Sequence, residues 1–252
     1  MEKKGQVTIF VIIAIIIIVA GILIYTFFPG IRSNFGESLK NPPAYMQSCL
    51  ENELFDTIEI LSLRGGSIDP PNYFLYENNR VGYLCFTNEY YKTCTVQIPF
   101  IEEHVENEIK LALENNVNFC LDSMKESYEK RGYNINLQKG DFEIDLEPKS
   151  IILDLNSKLS LQKEGSEEYD SIRVSINNNL YELVNIAQSI LDWETKVGDA
   201  ETTIYMNYYH HLKVEKYKQS EGTTIYIITN RNTGEKFQFA SRSLAWPPGY
   251  GT

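Results

Sequence analysis

The sequence has few of the residues that most often carry catalysis or bind metals. Its 252 residues include only three histidines and four cysteines. No C-x-x-C pair occurs, and the histidines are remote from the cysteines along the chain, so the usual zinc-ligand spacing is absent. There is also no G-x-S-x-G elbow and no glycine-rich phosphate-binding loop with its lysine. We therefore predict no metal, no cofactor and no catalytic residue.

Positive charge is also scarce. The chain has 23 lysines and arginines against 34 aspartates and glutamates, a net charge of −11. Without residues 1–28 the remainder has 33 acidic and 21 basic residues, so its net charge is −12. A surface of this sign repels nucleic acid and anionic membrane surfaces. We therefore expect no nucleic-acid partner.

A long hydrophobic run lies near the start of the chain. From Val7 to Phe28 there are 22 residues without a formal charge. As a helix rising about 1.5 Å per residue, this run is roughly 33 Å long, which matches a hydrocarbon core of about 30 Å. A cleaved secretory signal has a shorter apolar core and a small-residue cleavage site, whereas this run ends in Phe27, Phe28 and Pro29. The run predicts a transmembrane helix that stays in the lipid bilayer.

The charges that flank this run predict its orientation. Lys3 and Lys4 precede it, and the positive-inside rule therefore places the N-terminus in the cytoplasm and the C-terminal domain outside the cell membrane. Residues 29–43 are rich in proline, glycine and polar groups and are predicted to form a stalk. Residues 247–252 are predicted to form an extended tail.

The four cysteines all follow the predicted membrane span. An even number outside the membrane favours disulfides, with three possible connectivities. The segment CFTNEYYKTC predicts two short strands joined by a polar turn, which brings Cys85 and Cys94 together. Cys49 and Cys120 each fall in or beside the apolar stripe of a predicted helix. The favoured pairs are therefore Cys85–Cys94 and Cys49–Cys120, and four buried free thiols are the alternative.

The outer part of the chain divides into two segments with different hydrophobic periods. Residues 44–140 contain helical patterns at about 44–64 and 101–130, with strands and loops between them. Residues 141–246 show apolar and polar residues in alternation, interrupted by a helical pattern at about 179–193. We predict an α+β fold of helices and antiparallel strands, arranged as two packed subdomains that follow the cytoplasmic tip and transmembrane helix of residues 1–28.

The positions of the histidines in the sequence do not indicate a metal site. His104 and Glu108 are one helical turn apart, a spacing that metal sites use, but no third ligand is implied, so a charged helix surface is the favoured interpretation. His210 and His211 are adjacent, and neighbouring residues on a strand point to opposite faces. An exposed start of a strand is therefore expected there.

Tyrosine is abundant, with 17 residues. Two clusters, Tyr90–Tyr91 and Tyr205/Tyr208/Tyr209, fit a contact surface for a sugar or a protein. Packing in half-buried sheets is the commoner role of tyrosine and is the favoured interpretation.

The residues directly before the apolar run also match a second sequence pattern. Lys3, Lys4, Gly5 and Gln6 spell KKGQ directly before a long apolar helix, which resembles the class III signal of archaeal type IV pilin-like surface proteins. The resemblance covers the first 28 residues and implies that a prepilin-type peptidase cuts between Gly5 and Gln6. Pilins usually have a glutamate five residues into the mature chain, where it neutralises the terminal amine of a neighbouring subunit, and the matching position here is Phe10.

Taken with the outer domain, which resembles archaeal membrane-anchored surface proteins of uncharacterised activity, these features predict a function class. We expect a single-pass membrane-anchored surface protein with a structural or partner-binding role, whose partner is a surface protein or a glycan. A pilin-like subunit, cleaved after Gly5 and polymerised through residues 6–28, is the alternative. An extracytoplasmic hydrolase is the second alternative, because catalytic sets assembled in space leave no local pattern.

Overall fold

The computed structural model describes residues 41–245. Residues 42–245 belong to one compact unit. The expected transmembrane run Val7–Phe28, the Gly5–Gln6 cleavage position and the tail at 247–252 lie outside the described residues. Within residues 41–245, none of the helices is both long enough and apolar enough to cross a membrane.

The described part of the chain contains four helices. They are α1 (Pro42–Leu63), α2 (Ile101–Glu129), α3 (Leu180–Val197) and α4 (Thr203–Tyr208). The first three begin within two residues of the predicted positions. Helix α3 continues one turn beyond residue 193, where we expected it to end, because the stop signal is Gly198. This glycine adopts a left-handed conformation with φ 83°, and its N–H donates to the carbonyl of Glu194 at 2.9 Å.

The strands of residues 41–245 form three sheets. In chain order the strands are β1 (Tyr73–Tyr76), β2 (Asn79–Phe86), β3 (Thr95–Val96), β4 (Asn134–Gln138), β5 (Phe142–Glu147), β6 (Ser150–Leu155), β7 (Lys158–Gln162), β8 (Ser166–Tyr169), β9 (Ile172–Asn177), β10 (Leu212–Lys218), β11 (Thr223–Asn230) and β12 (Lys236–Arg242). A six-stranded sheet has the order β1-β2-β12-β11-β10, with β3 paired to β2. The orders of the two three-stranded sheets are β4-β7-β8 and β5-β6-β9.

Strand direction confirms the predicted α+β class. All neighbouring pairs are antiparallel except one, the pairing of β2 with β12, which is parallel. This pair joins a strand from residues 44–140 to a strand from residues 141–246. The six-stranded sheet is therefore built from both segments of the sequence.

The helices meet the sheets through apolar stripes. On α2 every fourth residue from Val105 to Leu121 is buried, as are Cys120 and Met124, because this spacing places the side chains on one face of a helix. That face packs against α1 and against β5. Both α1 and α3 contact the six-stranded sheet as well as the β5-β6-β9 sheet, so the helices share one core with the two sheets. Complete burial of each leucine or isoleucine side chain contributes about 1.5–3 kcal/mol.

Two disulfides link the elements of this core, and they join the pairs favoured from the sequence. Cys49 on α1 is bonded to Cys120 on α2 with a Cα–Cα distance of 6.0 Å. Cys85 on β2 is bonded to Cys94, directly before β3, with a Cα–Cα distance of 5.4 Å. In the chain-entropy model the first, which closes a long loop, contributes about 4 kcal/mol, and the second contributes about 2.5 kcal/mol.

A carboxyl group is buried where α3 packs on the six-stranded sheet. Glu194 on α3 is only 1% exposed. The hydroxyl of Tyr226 on β11 donates to this carboxyl group, and Ser241 on β12 acts to lower its pKa. The Tyr226 oxygen in turn accepts the backbone N–H of Ala200 at 3.4 Å. The carboxyl group therefore has a hydrogen-bond donor on the sheet, which links α3 to β11.

Burial has the largest effect on the pKa of Glu194. Removal from water raises the pKa of Glu194, against the opposing effect of the hydrogen bonds from Tyr226 and Ser241. The pKa of Tyr226 is also raised, first by its own burial and then by the neighbouring Glu194. Because the folded state favours the protonated Glu194, its contribution to stability is complete below the unfolded pKa, near 4.5. That contribution is lost as the pH rises through the raised folded pKa.

Replacing Glu194 by glutamine should therefore remove the loss of folding stability that ionisation of Glu194 causes as the pH rises. We expect Glu194→Gln to become progressively more stable than the unsubstituted protein as the pH rises from 4.5 to 8. The reason is that the amide keeps an acceptor for Tyr226 and does not ionise. Urea unfolding at several pH values measures the difference in the free energy of unfolding. The exposed substitution Glu164→Gln is the control and should show a nearly constant difference; a constant difference for Glu194→Gln would contradict the assignment.

Candidate functional site

A cavity of about 700 Å³ opens beside the N-terminal half of α3. Four parts of the chain form its walls: the start of α3, the β5–β6 turn, the segment between α4 and β10, and the β11–β12 turn. We call this cavity the α3 pocket. Its lining is mostly amide, hydroxyl and aromatic side chains, and consists of Pro148, Lys149, Asn179, Tyr181, Glu182, Asn185, Ile186, Tyr209, His211, Asn230, Asn232 and Thr233.

Polar contacts from two turns fix the start of α3. The side-chain oxygen of Asn178 accepts the N–H of Leu180 at 2.8 Å, and the N–H of Asn178 donates to the carbonyl of Lys149 at 3.1 Å. From the β11–β12 turn, the carboxylate of Glu235 accepts the N–H of Asn179 at 3.4 Å and also its side-chain amide. A carboxylate at this end complements the positive end of the helix dipole. The helix start and both turns therefore form one connected unit.

The β11–β12 turn is closed by its own side chains. The side-chain oxygen of Asn230 accepts the N–H of Asn232 at 3.0 Å, and the Thr233 hydroxyl donates to Glu235 at 2.7 Å. Gly234 has a positive φ of 80°, which is costly for other residues. The turn is therefore a fixed edge that carries Asn232 and Thr233 along the α3 pocket.

A histidine–glutamate pair forms another wall. The Nε2 atom of His211 lies 2.9 Å from both carboxylate oxygens of Glu182. An ionised carboxylate only accepts, so Nε2 carries the hydrogen and donates it. The carbonyl of His211 accepts the N–H of Arg231 at 2.8 Å, which attaches this wall to the β11–β12 turn. The ring of Tyr209 stands edge-on to the imidazole, with ring centroids 6.3 Å apart.

Several groups of the lining keep unused hydrogen-bonding capacity. Among the residues from 41 to 245, the hydroxyls of Tyr181 and Tyr209, the side-chain amide of Asn232 and the ammonium group of Lys149 have no hydrogen-bond partner. The amide of Asn185 donates to the carbonyl of Tyr181 at 2.9 Å, which leaves its oxygen as an acceptor. Residues with available donors and acceptors thus line the α3 pocket together with two tyrosine rings. Such an arrangement suits a neutral ligand rich in hydroxyl groups.

His104, whose spacing from Glu108 is one that metal sites use, contacts a serine hydroxyl. The Nε2 atom of His104 is 2.7 Å from the hydroxyl of the buried Ser67, and the carboxylate of Glu108 accepts the N–H of Ile68 at 2.9 Å. Both side chains therefore attach the loop after α1 to the surface of α2. No group of three potential metal ligands is found in the described part of the chain.

The other predicted site residues are only partly brought together. His210 is exposed, with its Nδ1 atom 3.3 Å from the carbonyl of Met206, and it does not share the environment of His211. In the second tyrosine cluster, Tyr205 is buried and bonded to Ser189, Tyr208 is exposed, and Tyr209 lines the α3 pocket.

The α3 pocket has almost no signature in the sequence. Its residues come from four separate segments, none of which carries a motif. The only local signals are the asparagine-rich stretches NNNL at 177–180 and NRNTG at 230–234.

Comparison with known proteins gives no relative from which a function can be transferred. No protein-family model matches the chain, and no match is found among curated proteins or among solved structures.

The contacts of Glu235 predict a measurable role in stability. We expect Glu235→Ala to lower the free energy of unfolding by about 1–2 kcal/mol, because two N–H groups at the start of α3 lose a charged acceptor. Urea unfolding at neutral pH measures the change. The matched control is Glu164→Ala at an exposed turn, which should change stability by less than about 0.5 kcal/mol. Equal effects of the two substitutions would show that Glu235 does not hold α3.

Proposed function

We propose that the protein is a single-pass membrane-anchored surface protein whose extracytoplasmic domain binds a neutral glycan in the α3 pocket. One observation carries this proposal: two tyrosine rings and four asparagines line a single cavity of about 700 Å³. Sites for small ligands commonly have volumes of about 300–1,000 Å³.

The chemistry of the lining favours sugar rings over other small ligands. A sugar presents hydroxyl groups, each of which donates and accepts, around a ring with an apolar C–H face. The amides of Asn185 and Asn232 offer matching donors and acceptors. The rings of Tyr181 and Tyr209 offer flat apolar surfaces for the C–H face and hydroxyls for the ring edge. An entirely apolar or strongly charged ligand would leave most of these groups unpaired.

The two carboxylates near the α3 pocket support binding rather than hydrolysis. A glycosidase needs one carboxyl group free to donate a proton and a second that is free to attack or to activate water. Both oxygens of Glu182 face His211, and both oxygens of Glu235 accept from Asn179, with Thr233 as an additional donor. These carboxylates are therefore engaged in holding the walls of the pocket together.

Two features support a membrane-anchored protein whose folded domain lies on the extracytoplasmic side. The run Val7–Phe28 has the length and apolarity of a membrane anchor. The domain contains two disulfides, and such bonds persist mainly in oxidising compartments. Its surplus of acidic residues also suits a neutral ligand better than a polyanion.

Direct binding measurements test the proposal. Trisaccharides of glucose, mannose and N-acetylglucosamine are titrated by calorimetry into the full-length protein, extracted in a detergent without a sugar head group. We expect at least one to bind with a Kd between about 10 µM and 1 mM. Tyr181→Ala should weaken this binding about tenfold, because an aromatic contact is lost.

The control is Tyr208→Ala, since Tyr208 is 80% exposed and does not line the pocket. It should leave the affinity unchanged. Absence of binding by all three sugars, or equal losses in the two variants, would contradict the proposal.

The second candidate is a pilin-like subunit, and the sequence KKGQ directly before Val7 favours it. In that case we expect cleavage between Gly5 and Gln6, which leaves the apolar run intact as an assembly segment. Intact mass and N-terminal sequencing of protein extracted from native membranes measure this. A chain that retains Met1–Gly5 would remove the pilin-like candidate and leave the membrane anchor.

A further inference from the structure

A second, smaller cavity adjoins the α3 pocket. Its volume is about 400 Å³, and it lies between α3 and the start of α2. Asn185 lines both cavities, so they are neighbours on the same side of the domain. The rest of its polar lining includes Gln188 on α3 and Glu102, Glu103 and Glu106 on α2.

An exposed aromatic ring stands at this second cavity. Phe100, the residue before α2, is 74% exposed and is part of the lining. Its backbone carbonyl accepts the N–H of His104 at 2.9 Å, so its position at the start of the helix is fixed. A mostly exposed ring gains little from burial, and beside a cavity with amide groups it offers a flat apolar surface, as the ring of Tyr181 does in the α3 pocket.

We infer that the two cavities are successive subsites for one oligosaccharide, which passes over Asn185 and places a sugar ring against Phe100. This inference rests on the proposed glycan binding in the α3 pocket and adds the length of the ligand. A single sugar unit engages the α3 pocket alone, whereas a longer chain reaches both cavities. The second contact is then intramolecular, so affinity rises with chain length.

The charge of the second cavity restricts the sugar that it accepts. Glu102 and Glu103 lie in its lining, and Glu106 accepts the N–H of Leu146 at 2.8 Å. Burial raises the pKa of Glu106, and the neighbouring Glu102 raises it further. An anionic sugar such as a uronic acid meets repulsion here, so the subsite suits neutral or amine-bearing units.

Affinity as a function of chain length tests the inference. For the sugar that binds best as a trisaccharide, the hexasaccharide is titrated into the full-length protein under the same conditions. We expect the hexasaccharide to bind at least about tenfold more tightly. Phe100→Ala should remove this gain and leave the affinity for the monosaccharide unchanged. The matched control is Leu111→Ala on helix α2, an exposed apolar residue that does not line the cavity.

The outcomes separate the two proposals. If Tyr181→Ala weakens binding but the hexasaccharide binds no better than the trisaccharide, the second subsite is wrong and the α3 pocket stands. A gain with length that survives Phe100→Ala also overturns the second subsite. If no sugar of any length binds, the proposed function fails and the inference fails with it. Tighter binding of a hexalysine peptide than of the hexasaccharide would assign the acidic cavity to a cationic peptide instead.

Discussion

The structure depends on how helix α3 is held against the six-stranded sheet. Near its C-terminal end, Glu194 is buried and accepts a hydrogen bond from Tyr226 on β11. A buried carboxyl group without a donor would cost several kcal/mol. This bond therefore links the C-terminal part of α3 to the sheet. At the other end, Glu235 holds the N–H groups of Asn179, so both ends of α3 are fixed by carboxyl groups.

The proposed function follows from this constraint. The α3 pocket is formed by turns that meet at the start of α3, and each turn is attached to the helix or to a neighbouring turn by hydrogen bonds. Because the walls are fixed before a ligand arrives, little conformational entropy is lost on binding. Holding these walls in place requires hydrogen-bond donors for the carboxyl groups of Glu194 and Glu235 in the folded protein. The result is a rigid polar site on a domain that the disulfides further stabilise.

Much of the fold was predictable because it is local. The stripe on α2 and the alternation of β5, β6 and β9 are periodic, and the cysteines fall on elements that face each other. Strand β8 has no apolar alternation because its residues are polar and mostly exposed, and β4 has only Ile135 and Leu137 at alternate positions, neither of them fully buried. The parallel pairing of β2 with β12 joins residues about 156 positions apart, and no local pattern specifies it. The α3 pocket was missed for the same reason, since Lys149, Tyr181, His211 and Asn232 meet only in three dimensions.

Binding of a glycan at the start of α3 can be measured by hydrogen–deuterium exchange. Exchange of the full-length protein is followed by mass spectrometry with and without a saturating concentration of the best-binding oligosaccharide. We expect slower exchange in peptides that cover residues 178–188 and 230–235, with little change in the β4-β7-β8 sheet. Unchanged exchange around α3, or protection confined to another part of the domain, would contradict binding at this site.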